Sequence, residues 1–331
     1  MQNHPSHHHL RRADDRPLRI GTRASPLARA QTDAVAAALI AAWPDLAAGI
    51  EAPCIEASGI EIVALKTTGD RVLDRPLADV GGKGLFTKEL DEAMLDGRLD
   101  LAVHSTKDVP TWLPDGICLA AFLPRADPRD AFIARDAGSL AALPVGAVVG
   151  TASLRRQAQL CHARPDLRVV PLRGNIGTRL GKLLSGEVDA TLLAVAGLHR
   201  LGLADRVTTI LAAEDMLPAV GQGAIGITCR ANDQRCLRLL AAINDGATEL
   251  AMTTERAMLA ALDGSCRTPI GGYARTDETG ALLLNGLVAS PDGSFLVAGQ
   301  RRGTPAEAAD LGRDLGRELR ARAGPGLLDA D

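Results

Sequence analysis

The chain has 331 residues, 46% of them hydrophobic, and a formal net charge of −3. That length divides into two or three domains with substantial cores. The slightly negative balance, with one Tyr, two Trp and four Phe, excludes a general nucleic-acid binder, which needs cationic surface and stacking platforms. No apolar run is long enough to cross a bilayer. Six cysteines without regular spacing, none in a C-x-x-C pair, read neither as a disulfide framework nor as a structural zinc site, and point to a reducing cytoplasm. Residues 1–16 are polar, carry His4 and His7-His8-His9 and lack a signal peptide's apolar core, so a disordered tail is expected there.

In chain order, Leu18-Arg19-Ile20-Gly21-Thr22 reads as a short buried strand running into Arg23-Ala24-Ser25-Pro26. Ser25 suits an N-cap and Pro26 the first helical turn, opening a helix over 27–43. Arg23 therefore stands at a strand-to-helix junction, where a guanidinium and backbone donors can hold an anion together. A strand over 60–67 leads into a glycine-punctuated segment ending Gly81-Gly82-Lys83-Gly84. The glycine spacing is not that of a Walker loop, and the cationic composition suits a lid. A helix over 87–96 and a strand over 99–103 deliver His104-Ser105-Thr106-Lys107-Asp108-Val109-Pro110, polar groups at the carboxyl end of an apolar strand, where open α/β sheets bind ligands.

Asp127-Pro128-Arg129-Asp130 reads as a crossover into a second lobe. There Val148-Val149-Gly150-Thr151-Ala152-Ser153 repeats the earlier device of strand, small residues, capping Ser and helix, and Arg155 and Arg156 fall in the first helical turn. Cations are unfavourable at that end of a helix dipole, so either a solvated face or a bound anion must offset the cost. Another strand ends in Leu172-Arg173-Gly174-Asn175 and a helix over 176–184 carries Arg179. A strand over 188–195 leads to His199-Arg200, and Gly221-Gln222-Gly223 begins a return to a further strand over 225–229. Helices over 233–243 and 248–262 precede Asp263-Gly264-Ser265-Cys266-Arg267, a turn-forming composition that places one cysteine in a loop beside a cation able to favour its thiolate. Strands over 271–276, 281–290 and 294–299 and a helix over 305–323 close the chain. The expected fold class is α/β, with a small α+β unit at the end.

Arg23, Arg155, Arg156, Arg173, Arg179 and Arg200 mostly stand at junctions that converge on a cleft, which suits a small ligand with several carboxylates or phosphates. Asp108 is the odd carboxylate among them, placed to stabilise developing positive charge or to move a proton.

Seven blocks in this chain resemble the porphobilinogen deaminase (hydroxymethylbilane synthase) family. They are Thr22-Arg23-Ala24-Ser25-Pro26-Leu27-Ala28, Val80-Gly81-Gly82-Lys83-Gly84-Leu85-Phe86, the segment from His104 to Pro110, and Gly150-Thr151-Ala152-Ser153-Leu154-Arg155-Arg156-Gln157. Leu172-Arg173-Gly174-Asn175, Leu217-Pro218-Ala219-Val220-Gly221-Gln222-Gly223-Ala224 and the loop around Cys266 complete the series. They run in order over nearly the whole chain.

The resemblance implies two periplasmic-binding-protein-like lobes with a third, small α+β domain. The corresponding boundaries are a tail over 1–16, lobe 1 over 17–125 plus 222–243, lobe 2 over 126–221 and the third domain over 244–331. It implies a dipyrromethane cofactor joined to Cys266 by a thioether. Four porphobilinogen units, each losing ammonia, are condensed head to tail onto this primer, and the linear tetrapyrrole is released by hydrolysis for porphyrin biosynthesis. By the same resemblance Asp108 is catalytic, holding pyrrole N–H groups. Cys266, Lys107, Asp108, Ser153, Arg155, Arg156, Arg173 and Arg179 hold the cofactor or growing chain. Arg23, Ser25, Arg155, Arg156 and Arg200 bind substrate carboxylates, and Lys83 belongs to the lid. The partners implied are porphobilinogen and its oligopyrrole intermediates, without nucleic acid, membrane or metal, and the expected enzyme is a cytoplasmic monomer.

Three positions depart from the family pattern: Thr106 replaces a larger apolar residue, Ala152 a hydroxyl residue, and the segment 47–58, with Cys54, is longer. Two other readings stay open on the residues alone. A non-catalytic anion-binding protein explains the arginines but not Cys266, and a cysteine hydrolase would use His104 as base.

Overall fold

The computed structural model describes residues 16–47, 59–71, 84–262 and 268–324. The expected tail, most of the 47–58 segment with Cys54, the lid residue Lys83 and the loop residue Cys266 lie outside the described residues.

Three sheets organise the chain. The first has the order β2-β1-β3-β10-β4, built from β1 (Leu18–Arg23), β2 (Ile60–Leu65), β3 (Leu101–Ser105), β4 (Ile117–Phe122) and the late strand β10 (Ile225–Arg230). The second has the order β7-β6-β8-β5-β9, from β5 (Asp130–Ala134), β6 (Val148–Gly150), β7 (Arg168–Val170), β8 (Ala190–Ala194) and β9 (Thr209–Ile210). In each sheet four strands run in one direction and the fifth, β10 or β5, is antiparallel to both neighbours. That strand is the one by which the chain enters the lobe after crossing over. The third sheet is an antiparallel meander of β11 (Ile270–Thr276), β12 (Leu282–Ala289) and β13 (Leu296–Gly303). Two α/β lobes with a small α+β domain are therefore the observed fold class.

Helices cover the sheets because their apolar stripes need burial. In lobe 1, α1 (Pro26–Ala42) places Val35 and Leu39 over Leu18, Ile20, Leu101 and Ile227. After the single turn α2 (Thr68–Arg71), α3 (Lys88–Leu95) packs Leu90 and Met94 on the other face against Leu99 and Ile117. Lobe 2 is covered by α4 (Leu154–Ala163), α5 (Ile176–Leu184) and α6 (Val195–Arg200), with Leu160 buried beside Phe132 and Val149, and Leu183 and Leu198 beside Ile133. Helix α7 (Gln234–Ala241) returns to lobe 1. In the third domain α8 (Gly246–Ala261) and α9 (Ala308–Ala323) cover the meander, and their core includes Phe122 from the end of β4 and Val220 from the return segment.

Strand β4 was not separated out by the sequence pattern, and β13 extends past Gly299, which reads as a stop. The glycine is needed inside the strand instead: a Cβ there would lie 2.8 Å from Leu315 Cδ1 of α9. Strand β3 begins two residues later than expected: Leu99 N donates back to Ala93 O of α3, while Asp100 N already donates to Arg19 O of the neighbouring β1.

Candidate active site

The carboxyl ends of β1 and β3 supply the first part of the site. Ser25 caps α1, its Oγ accepting from Ala28 N at 3.2 Å, so Arg23 is left at the strand end just before the cap. Its guanidinium is gripped by Asp70, with Nε 3.3 Å from Oδ2, and stacks on Phe86 at 4.1 Å from the ring centroid. Nη1 donates to Asp108 Oδ2 at 3.3 Å. Burial would raise the Asp70 carboxyl, but Arg23 and Thr67 hold it below the usual range. Asp108 ends a 3₁₀ turn over Thr106–Asp108, with its side chain 28% exposed to the cleft. Behind it Thr106 is buried between Gly221 and Gly226, with Oγ1 lacking a partner among the described residues.

His104 faces the opposite way. It is buried, with Nε2 2.9 Å from Thr228 Oγ1, and burial, followed by Arg23, pushes its pKa down to about 4. A buried neutral imidazole bonded to a core threonine is poorly suited to act as the base of a hydrolase.

Lobe 2 supplies the second part. Ser153 caps α4, accepting weakly from Arg156 N at 3.4 Å. The anion that offsets two arginines in this first turn belongs to the chain: Asp130, at the start of β5. Arg155 Nη2 and Arg156 Nη2 each lie 2.7 Å from its carboxylate, while their Nη1 atoms donate to Leu217 O and Leu192 O. Both arginines are about 5% exposed and Asp130 is fully buried. Burial alone would raise the Asp130 carboxyl; the two guanidinium groups win and hold it far below the usual carboxylate range. Of the two alternatives read from the sequence, the solvated face is excluded, and the offsetting anion is a carboxylate of the chain itself. Sequence reading missed Asp130 because it lies 25 and 26 positions from its partners.

Gln222 joins the two parts. Its Nε2 donates to Asp130 Oδ1 at 2.8 Å and to Pro128 O at 2.7 Å, and its Oε1 accepts from Lys107 Nζ at 3.3 Å. Lys107 keeps an exposed surface, and the protein crowded around its ammonium, followed by Arg156, pushes its pKa down toward about 8 against the pull of Asp108 and Asp130. Arg179 donates to Gly174 O at 2.8 Å. Burial, then Arg156 and Arg173, push Arg179 down to about 10, while Asp108 opposes them; these four groups thus share one electrostatic neighbourhood. Arg200 donates to Gly223 O at 2.7 Å in the return segment.

Five buried guanidinium nitrogens have no hydrogen-bond acceptor among the described residues: Arg155 Nε, Arg156 Nε and Arg173 Nη1 here, and Arg19 Nε and Arg275 Nη1 elsewhere. An unpaired buried donor costs about 1–3 kcal/mol, and more when charged. A ligand rich in carboxylates would offer acceptors to this cationic neighbourhood, so the residues fit such a group.

Comparison with known proteins covers nearly the whole chain. Residues 18–238 match the family model described as porphobilinogen deaminase, dipyromethane cofactor binding domain, and residues 249–321 match the porphobilinogen deaminase C-terminal domain. The chain is 53% identical over 316 residues to "Porphobilinogen deaminase, chloroplastic" of Oryza sativa subsp. japonica, covering 95% of this chain and 86% of that one. It is 54% identical over 305 residues to the porphobilinogen deaminase of Nitrobacter hamburgensis, covering 92% and 93%. Among solved structures it is distantly similar to the methionine binding protein MetQ, at a TM-score of 0.42 and 13% identity, covering 71% of this chain and 93% of that one.

Proposed function

The chain belongs to the porphobilinogen deaminase family, with its dipyrromethane cofactor and its head-to-tail condensation of four porphobilinogen units, and from that premise we propose which residues carry the reaction. Asp108 is the catalytic carboxylate and Cys266 the attachment point of the cofactor. The observation that carries this reading is one part-exposed carboxylate, Asp108, paired with Arg23 and interacting electrostatically with Lys107 and Arg179.

When bound, the dipyrromethane would supply the free α-carbon that the first substrate unit joins, and each later unit would join the ring added before it. The chain's part is to bind, orient and compensate charge. Porphobilinogen carries an acetate and a propionate, and Arg23, Arg200 and Ser25 stand where lobe 1 and the return segment can receive them. Loss of ammonia leaves positive charge on the substrate pyrrole. Asp108 accepts the pyrrole N–H and stabilises that charge, and it can take up the ring proton displaced when the new carbon–carbon bond forms. Arg155 Nε, Arg156 Nε and Arg173 Nη1, with Arg179, Lys107 and Ser153, would hold the cofactor's carboxylates, which add acceptors where buried donors lack them. Lys83 would cover the cleft.

We assign lobe 1 to 17–125 with 222–243, lobe 2 to 126–221 and the cofactor domain to 244–331, and we take the enzyme to be a cytoplasmic monomer. Two features support the compartment: Cys118, Cys161, Cys229 and Cys236 are free thiols, and among the described residues no helix is long and apolar enough to cross a membrane.

The test is the intact mass of the acid-denatured protein. An excess of two porphobilinogen-derived units, stable to thiols and mapped to Cys266, is expected, and Cys266→Ser should fold, lack the adduct and show negligible turnover. A bare polypeptide that gains no mass on incubation with porphobilinogen would sink the assignment.

A further inference from the structure

Helix α8 ends at Ala261, just before the loop segment that contains Cys266. Two consecutive residues of this helix, Glu255 and Arg256, lie on either side of the segment that carries Asp108: Glu255 ties β11 to Arg125 and Gly221, and Arg256 reaches the segment itself. Glu255 is fully buried; Oε1 accepts from Arg125 Nη1 at 2.6 Å and Ala274 N at 2.7 Å, and Oε2 from Gly221 N at 2.7 Å. Gly221, with φ of 75°, lies so close to the turn that a Cβ on it would meet Lys107 N at 3.1 Å. Arg256 takes the other side. Its Nη1 donates to Val109 O at 3.2 Å, and its Nη2 to Pro110 O at 2.6 Å and Thr111 O at 3.2 Å.

The two ends of the Asp108 turn are held differently. Upstream, Ser105 is paired with Ile225 in the sheet and Thr106 N donates to Ala224 O at 3.1 Å. Downstream, residues 109–111 belong to no strand, and Pro110 has no N–H with which to join one. Three successive carbonyls there converge on one guanidinium from another domain. A planar fork can serve them together, whereas an ammonium is a point charge on a flexible stem.

Resting on the proposed role of Asp108, we propose that Arg256 is a positioning residue for that carboxylate, fixing the downstream end of its turn from the helix that leads into the cofactor loop. It touches neither substrate nor cofactor and acts through the backbone of Val109, Pro110 and Thr111.

The experiment compares Arg256→Lys and Arg256→Leu with the wild type in the full-length protein. As well as kcat, KM and intact mass, it reads the fluorescence anisotropy of Trp112, the residue after this clamp and 57% exposed. A Trp43→Phe background removes the other tryptophan, which is tied to Leu239 O in lobe 1. Misplacing a reacting group by about 1 Å costs up to about 10²-fold in rate. The expected result is therefore a kcat lowered by about that factor in the Leu variant and by less in the Lys variant, with KM within about twofold, the cofactor mass retained and Trp112 anisotropy lowered in the same order. Equal kcat in all three proteins would overturn the proposal, as would a loss of rate that only follows loss of cofactor or of folded protein while Trp112 keeps its anisotropy. Failure of the wild type to consume porphobilinogen would overturn the functional assignment instead, and the Trp112 signal would still decide whether the clamp exists.

Discussion

In lobe 1 the strand Leu18–Arg23 passes to its helix through the cap Ser25, and in lobe 2 the strand Val148–Gly150 does so through Ser153. The antiparallel strands correspond as well: Ile225 opens β10 opposite Ser105, and Asp130 opens β5 opposite Ala194. The charges differ. Lobe 1 places its arginine before the cap and an apolar residue at the start of the antiparallel strand, so Arg23 stays 21% exposed and turns to Asp70 and Asp108. Lobe 2 places two arginines after the cap and an acid at that strand's start, and all three become interior. One device thus yields a cleft cation in one lobe and a buried, mostly compensated triad in the other. The position of the counter-charge decides which.

The comparison sharpens most at the two acids. Asp108→Asn should lower kcat by about 10²–10⁴-fold, the usual range for a positioned proton-transfer group, with the melting temperature nearly unchanged. A steady-state assay with porphobilinogen and a thermal melt check it together, and wild-type turnover would remove the aspartate from its role. Asp130→Asn should do the reverse in stability, costing about 3–5 kcal/mol because two buried guanidinium groups lose their counter-charge. Its pH dependence has a definite sign. The folded carboxyl titrates far below the unfolded value of about 3.9, so its contribution is present above that value and is lost as pH falls toward the folded one. The gap between wild type and Asp130→Asn in denaturant melts should narrow below about pH 4, and a pH-independent gap would argue against the ion pairs.

A smaller effect is expected at His104. Held near 4 when folded and near 6.5 when unfolded, it should make the protein lose stability as pH falls from about 6.5 to about 4, since only the unfolded chain gains the proton. An NMR titration of its ring that found a midpoint near 6.5 would contradict the burial. The smallest effects belong to the two caps. Ser25→Ala and Ser153→Ala should each cost about 1 kcal/mol, with Ser153 the lesser because its hydrogen bond is the longer.

The parts legible in sequence were those whose physics is local. Ser25 with Pro26, and Ser153 ahead of Leu154, announce their helices within four residues, and the apolar run before His104 announces a strand that ends in chemistry. What escaped depends on distant partners. Asp130 reads as a crossover residue until β5 sets it beside Arg155 and Arg156, and Asp70 reads as part of a lid until it grips Arg23 across 47 positions. The short run Ile117–Phe122 gains its identity only from β10, more than a hundred residues later.

That last pairing also governs how the protein can be made. Lobe 2 has its whole sheet once Ile210 has left the ribosome, whereas β4 waits for β10 as its sole neighbour in the sheet. Roughly 100 residues separate them, which at ~5–20 residues per second is an interval of ~5–20 s. During that time one edge of β3 and the strand Ile117–Phe122 have no native partner, so a nascent chain should meet chaperones through lobe 1 rather than lobe 2, and the later-encoded lobe should be the first to finish.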